Sequence, residues 1–266
     1  MTQAGATFAS IVTGLDAVGL AAVNADAALQ TRVDRKYVLS AEQLDRLLTA
    51  FASDCRVLEI DGRRSFGYAT VYHDTSDRAL YRDTAHRRPF RFKVRERTYV
   101  DSHTTMLEVK TKNGRGKTVK HRVDVNDLGL DAQARRPIER LTAEMRAFVN
   151  SVVQTELTES LEPALHVAFD RTTLLVSNGG ARCTIDRSLA STGVSDRGAV
   201  GGVVKPDVVV VETKSSGHRS EVDRWLWSEG VRPSRLSKYC TAMSVLDSSL
   251  PSNHWHRTLA RHFVDD

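Results

Sequence analysis

Cysteine is scarce in this chain: Cys55, Cys183 and Cys240 are an odd number with no CxxC spacing. That argues against a disulfide framework or a structural zinc site and fits a reducing compartment. No apolar run approaches the ~18 residues that would mark a membrane-crossing helix. Basic residues are missing before Arg32, so the mildly apolar residues 1–25 lack the positive n-region of a secretory signal. We therefore expect a cytoplasmic protein with no direct membrane insertion, a membrane-bound partner being compatible with the sequence but not indicated by it.

Two further motifs are missing. Gly114-Arg-Gly-Lys-Thr resembles the end of a Walker A loop, but the glycine required five positions before Gly116 is Thr111, and a strand pattern follows where a helix should. A hairpin turn accounts for it better. His254, His256 and His262 show no HExxH-type spacing, which points to a solvated terminal helix or tail and not to a metal centre.

What is present is a chain of 266 residues, 27% charged and 41% hydrophobic, long enough to bury a sizeable core. Its formal charge of +5 favours an anionic partner without selecting one. Residues 7–30 have the spacing of short amphipathic helices. Ser40 and Gln43 predict a capping box ahead of the stripe Leu44, Leu47, Leu48 and Phe51. Residues 132–150, 150–160, 219–229 and 238–248 also predict helices. Strand patterns cover 31–39, 56–60, 66–74, 90–100, 105–112, 117–124, 164–176, 181–186 and 206–214, with turns or loops at 113–116, 178–180 and 198–202. The order has no βαβ rhythm, so an antiparallel α+β fold is expected. No internal repeat or long linker divides it. The expected organisation is one domain over 1–266, with its core at about 12–247 and terminal segments 1–11 and 249–266.

Residues two apart share a face of a strand. In 90–99 that rule aligns Arg91, Lys93, Arg95 and Arg97 against Phe90, Phe92 and Val94. In 106–112 it aligns Glu108, Lys110 and Lys112 against Leu107 and Val109. Lys120 and Arg122 oppose Val119 and Val123, Glu212 and Lys214 line up in 208–214 behind Val208 and Val210, and Arg32, Asp34 and Lys36 share a side. One such strand is usually a solvated face. From Arg91 to Arg122, however, the charged faces carry Glu108 as their only acid. Like charges opposed across strands destabilise pairing, and two unit charges at ~4 Å repel by roughly 4 kcal/mol at an effective dielectric near 20. A face this cationic implies a polyanion. The apolar faces need covering by the helices, and a sheet closed on itself with charges inside meets both demands. The expected fold is α+β, a closed antiparallel β-barrel with flanking helices.

Arg32-Val-Asp-Arg-Lys-Tyr-Val-Leu, Tyr72-His-Asp-Thr, Lys93-Val-Arg-Glu-Arg-Thr-Tyr, Leu107-Glu-Val-Lys-Thr-Lys, Gly116-Lys-Thr-Val-Lys-His-Arg, Phe169-Asp-Arg, Val211-Glu-Thr-Lys and Leu236-Ser-Lys-Tyr follow one another in that order. The set resembles the VTC domain, the polyphosphate polymerase domain of the vacuolar transporter chaperone complex. That domain is one of the triphosphate tunnel metalloenzymes, also called CYTH-like. The resemblance implies a tunnel-shaped barrel that takes ATP or another triphosphate and polyphosphate. It implies phosphate contacts from Lys36, Arg95, Arg97, Lys110, Lys120, Arg122, Arg171, Arg182, Lys214 and Lys238, with Arg95, Arg97, Glu212 and Lys238 nearest the chemistry. Glu212 matches the residue that holds a divalent metal, manganese or magnesium, while Glu108 either helps that metal or pairs with Lys110. Arg32-x-Asp34-x-Lys36 departs from the E-x-E-x-K of the wider superfamily, which weakens a two-metal hydrolase reading. Lys112 stands where the eukaryotic polymerase has histidine. The sensor domain and membrane helices of the eukaryotic complex have no counterpart here, so coupling to transport would need separate partners.

Four activities fit a basic tunnel. They are a nucleotide-dependent polyphosphate polymerase, a tunnel-type triphosphatase, a non-catalytic module for polyphosphate or inositol polyphosphate, and nucleic-acid binding. Duplex DNA is too wide for a channel built around one phosphate chain, so no nucleic-acid partner is expected.

Overall fold

The computed structural model describes residues 7–27, 33–115, 117–133, 140–176, 181–195, 198–205 and 207–263. The chain forms two compact units. The first comprises Met1–Phe66, Asp170–Leu189 and Lys205–Arg235; the second comprises Gly67–Phe169, Ala190–Val204 and Leu236–Asp266.

The first unit holds α1 (Phe8–Gly14), β1 (Asp16–Val18), α2 (Leu20–Ala27), β2 (Val33–Leu39), α3 (Ala41–Ala50) and β3 (Cys55–Leu58). The rest of its sheet is supplied by β8 (Glu162–Val176) and β9 (Ala181–Ser195), each of which contributes residues to either unit, and by β11 (Val209–Ser215); α6 (Glu221–Ser228) follows. Its strand order is β2-β11-β9-β8, with β3 antiparallel to β8 and the three-residue β1 parallel to β3. One face is apolar: Tyr37, Leu39, Ile185, Cys183, Val209 and Val211 pack under Leu44, Leu47 and Leu48 of α3 and Val222 and Leu226 of α6. Burying each such side chain contributes about 1.5–3 kcal/mol.

Both covering helices start on reciprocal caps. Ser40 Oγ accepts from Gln43 N at 3.2 Å while Ser40 N donates to Gln43 Oε1 at 3.0 Å. Ser220 and Asp223 repeat the arrangement at the head of α6. Asp223 also accepts from Tyr37 Oη at 2.7 Å and Thr213 Oγ1 at 2.6 Å, tying α6 to the two strands beneath it.

The second unit contains β4 (Phe66–Asp74), α4 (Ala79–Ala85), β5 (Phe92–Tyr99), β6 (Thr104–Lys112), β7 (Thr118–Asp124), α5 (Ala143–Val153), β10 (Gly198–Lys205), α7 (Lys238–Leu246) and α8 (His256–His262). Its order is β8-β4-β5-β6-β7, antiparallel from β4 onward, with β10 beside β9. Phe92, Val94, Leu107 and Val109 form one face and are covered by Met145 and Val149 of α5. The architecture is α+β, an antiparallel sheet flanked by helices, as the sequence implies.

Several local expectations change. Residues 198–202, which read as a glycine-rich loop, lie in β10, and β9 continues to Ser195. Residues 156–160 form a 3-10 turn in place of an α-helix. Helix α4 has no signal in the residue spacing, because its cap lies upstream in Asp74, whose carboxylate accepts from the N–H groups of Leu80 and Tyr81, both at 2.9 Å. On β11 the covered face is Val209, Val211 and Thr213, and Val210 shares its side with Glu212 and Lys214. Phe90 precedes β5 and is exposed instead of joining the apolar face. Arg32, 178–180 and part of 132–150 lie outside the described residues.

Candidate functional site

The basic face of the second unit is built by cross-strand register. Lys93 on β5 pairs with Lys110 on β6, which pairs with Lys120 on β7, so three ammonium groups occupy one row. The adjacent row runs Tyr72, Arg95, Glu108 and Arg122 across β4 to β7. Glu108 is 1% exposed and serves two cations: it accepts from Arg95 Nε at 2.6 Å and is ion-paired with Lys120 Nζ. Lys120 is thus a lysine partner of Glu108. Burial alone would raise the Glu108 carboxyl, but Arg95, Arg97 and Lys120 hold it down at about 2. Burial pushes the Lys120 amine down to about 8; Glu108 opposes that, and Arg95 and Arg97 reinforce it.

Tyr72, which belongs to a motif of the family resemblance but has no expected site role, is a member of this site. Its hydroxyl accepts from Arg95 Nη1 at 3.2 Å, and its ring stacks on Tyr239 at 5.1 Å. Burial would raise the phenol, yet Arg95 and Arg97, with a smaller contribution from Lys238, bring it below its ordinary value. A signal exists in the pattern: Tyr72 lies in β4 directly across from Arg95.

Helix α7 brings in Lys238. Ser237 caps the helix by accepting from Cys240 N at 3.3 Å. Next along, Tyr239 Oη donates to the buried Asp74 at 2.5 Å, anchoring the helix to the end of β4. Lys238 Nζ lies 4.6 Å from the Phe169 ring centroid. Lys93 Nζ donates to Ser237 Oγ at 2.9 Å; Lys93 stands on the expected basic face, though not among the phosphate contacts the family resemblance implies.

In the first unit the basic residues have acidic company. Arg171 holds Asp186 with two hydrogen bonds, Nε to Oδ1 at 2.6 Å and Nη2 to Oδ2 at 2.8 Å. Such bidentate pairs fix both side chains strongly. Lys36 is across from Glu212, and Asp34 and Arg182 lie across from Lys214 on its two sides. Lys214 Nζ is 3.5 Å from Glu212 Oε2, and burial, reinforced by Arg171 and Arg182, brings its amine down to about 8 despite that carboxylate. Cys183 faces the helix-covered layer, as alternation implies, and burial raises its thiol. It is an inert core residue.

The expected residues thus fall into two groups. Arg95, Arg97, Lys110, Lys120, Arg122 and Lys238 belong to the second unit; Lys36, Arg171, Arg182, Glu212 and Lys214 belong to the first. Among the described residues no three His, Cys, Asp or Glu side chains gather as a metal cage. Glu108 is committed to guanidinium and ammonium partners. Glu212 offers one carboxylate, which suits magnesium or manganese only in the manner of phosphate-bridged ions, whose remaining ligands are substrate oxygens and water.

A family model described as VTC domain matches residues 31–247, which takes in both groups. The chain belongs to the VTC domain family. No curated protein matches it. Solved structures similar to this VTC domain include a candidate adenylyl cyclase from Hippeastrum described as having a dominant triphosphatase activity. It shows 14% identity, 84% of this chain and 100% of that one covered, and a TM-score of 0.45. A candidate adenylate cyclase from Vibrio parahaemolyticus shows 11% identity, coverage of 76% and 84%, and a TM-score of 0.39. A conserved hypothetical protein from Pyrococcus furiosus shows 13%, 79% and 99%, and 0.41. Likenesses at these scores carry no argument about activity.

Proposed function

We propose that this VTC domain grips a linear polyphosphate or a nucleoside triphosphate and transfers the terminal phosphoryl group of ATP to a growing polyphosphate chain. The observation that supports the reading is the Lys93–Lys110–Lys120 row beside the row of Arg95, Glu108 and Arg122, with Glu108 the one carboxylate in the two. A line of phosphates neutralises such a face, and barrel closure into a tunnel, which the family resemblance implies, would extend the grip along the chain.

Phosphoryl transfer needs alignment and charge neutralisation more than covalent chemistry from the protein. A terminal phosphate oxygen of the polymer attacks the γ-phosphorus of ATP, the bond to the β–γ bridging oxygen breaks, and ADP leaves. Arg95 and Arg97 supply forks for paired phosphate oxygens, and Lys120 and Lys238 supply point charges. Tyr72 presents a hydroxyl beside Arg95. Glu212, in the first unit, would hold manganese or magnesium together with phosphate oxygens, and such an ion would supply neutralisation of phosphate charge.

The test is incubation of the protein with ATP and manganese. The expected products are ADP and chains longer than triphosphate. Release of orthophosphate alone would replace the polymerase with a triphosphatase. Tight tripolyphosphate binding without turnover under any metal, surviving Glu212→Ala, would leave a binding module.

A further inference from the structure

One end of the second unit, beside the basic face, carries an exposed aromatic tip to which the proposed phosphate transfer assigns no role. Phe90, between α4 and β5, is 74% exposed and is the one exposed aromatic among the described residues. Its φ of 59° places a bulky side chain in the left-handed region, and nearby Arg87 has φ 57°. Such conformations persist only where the surroundings hold them, and they concentrate where a function requires the geometry. The ring rests on the β6–β7 hairpin: a Cβ added to Gly114 would come within 3.2 Å of Phe90 Cζ. Glycine there lets the phenyl lie against the hairpin backbone while its outer face stays in water.

The charged residues that flank Phe90 and Gly114 along the chain are basic. Arg87, Arg88, Arg115 and Lys117 are exposed, and Arg91 and Lys112 adjoin where Lys112 N donates to Arg91 O at 2.9 Å. Segments 84–95 and 109–123 contain no Asp or Glu. Burial and the charges of Arg91 and Arg87 together depress the Lys112 amine, the mark of cations at close quarters.

We propose that this phenyl-tipped basic end docks the protein on an anionic lipid bilayer, with Phe90 seated at the headgroup boundary and the arginines against lipid phosphates. An apolar tip within a basic ring matches an anionic interface in both its apolar and its charged component. A free phosphate chain would need the cations but not a ring held in water. Single-stranded nucleic acid is gripped by successive stacking aromatics, and here there is one.

The experiment sediments the full chain with vesicles of phosphatidylcholine alone or mixed with phosphatidylglycerol. Binding is expected to the mixed vesicles only and to weaken with salt. Each basic residue near a charged surface contributes about fivefold, so the triple variant Arg87→Ala, Arg88→Ala, Arg115→Ala should lose roughly a hundredfold, and Phe90→Ala about tenfold. In a Phe90→Trp variant the emission added by the new indole should shift to the blue on binding and be quenched by brominated acyl chains. Equal binding to neutral vesicles would overturn the proposal, and so would vesicle binding with no emission change beyond that of the unaltered protein. Capture of single-stranded RNA with no vesicle binding would overturn it too. Tripolyphosphate affinity measured on Phe90→Ala should equal that of the unaltered protein, so failure of this surface and failure of the phosphate site register separately.

Discussion

The two units carry basic residues on their strand faces in opposite electrostatic company. In the first, Arg171 is locked to Asp186, and Lys36 and Lys214 lie against Glu212 and Asp34. In the second, Lys93, Arg95, Lys110 and Lys120 occupy two adjacent rows whose one acid is Glu108. Both faces read as basic from the sequence, and in the first Arg171 and Arg182 also press on Lys214, yet the second has a single acid in its two rows and so leaves more repulsion for an added anion to relieve. In the first, removal of Arg171 exposes a buried acidic partner. Counting cations does not separate these cases; register and pairing do.

The sharpest test of that difference is Arg171→Ala. Asp186 is 1% exposed and would lose both of its hydrogen bonds from the guanidinium. Breaking a buried pair from one side costs about 3–5 kcal/mol, read as a lower urea midpoint. A loss below about 1 kcal/mol, the scale of an exposed pair, would mean that the first unit is not held by this pair, and the contrast would collapse.

Ligand should act on the other face. Tripolyphosphate at a hundredfold excess over its Kd should stabilise the protein by about 2.7 kcal/mol, seen as a raised Tm at low salt. Arg95→Ala is a poor probe, because it strips the buried Glu108 of a partner as well as removing a phosphate contact. Lys120→Ala leaves Glu108 with Arg95 and should weaken tripolyphosphate binding by about 10- to 100-fold, the range of a charge-assisted hydrogen bond. An unchanged Kd there, with a large loss in Lys36→Ala, would move the anion to the first unit and refute the contrast.

The pH dependence sharpens this further. Lys120 titrates at about 8 in the folded protein, below the ordinary lysine value of 10.5. Between those values the unfolded chain binds more protons, so this group makes the free protein more stable as pH rises through that window. Anion binding runs the other way, since it needs the protonated amine. Affinity for tripolyphosphate should fall as pH climbs past about 8, with proton uptake on binding visible by calorimetry in buffers of different ionisation enthalpy. Lys214, also near 8, affects free-protein stability likewise, so Lys120→Gln should flatten the binding profile while leaving part of the stability profile in place. A binding profile in Lys120→Gln as steep as before would refute the assignment.

Much of this was legible in the sequence because strand alternation is strict. The apolar faces of β5 and β6 and the Ser40–Gln43 cap follow from residue spacing alone. What escaped depends on contacts that residue spacing does not signal. Helix α4 is capped by Asp74 through its carboxylate, and α7 is fixed by Tyr239 reaching that same carboxylate, 165 positions away. Strand β10 was hidden by glycines that signal a loop but here sit beside β9. The basic residues of the site were visible as a set, whereas the acids that neutralise some of them, Asp186 above all, required the pairing to be seen.

The smallest expected effect isolates the repulsion itself. Lys110 is exposed and lies between Lys93 and Lys120 in adjacent strands. Lys110→Ala should raise the stability of the free protein by about 0.5 kcal/mol, the scale of one unfavourable cross-strand pair. The gain should shrink as salt shortens the screening length. With tripolyphosphate present the sign should reverse, because the variant then lacks a phosphate contact. A variant less stable than the parent at low salt without ligand would show that this row is already neutralised from within, and the distinction between the two faces would fall.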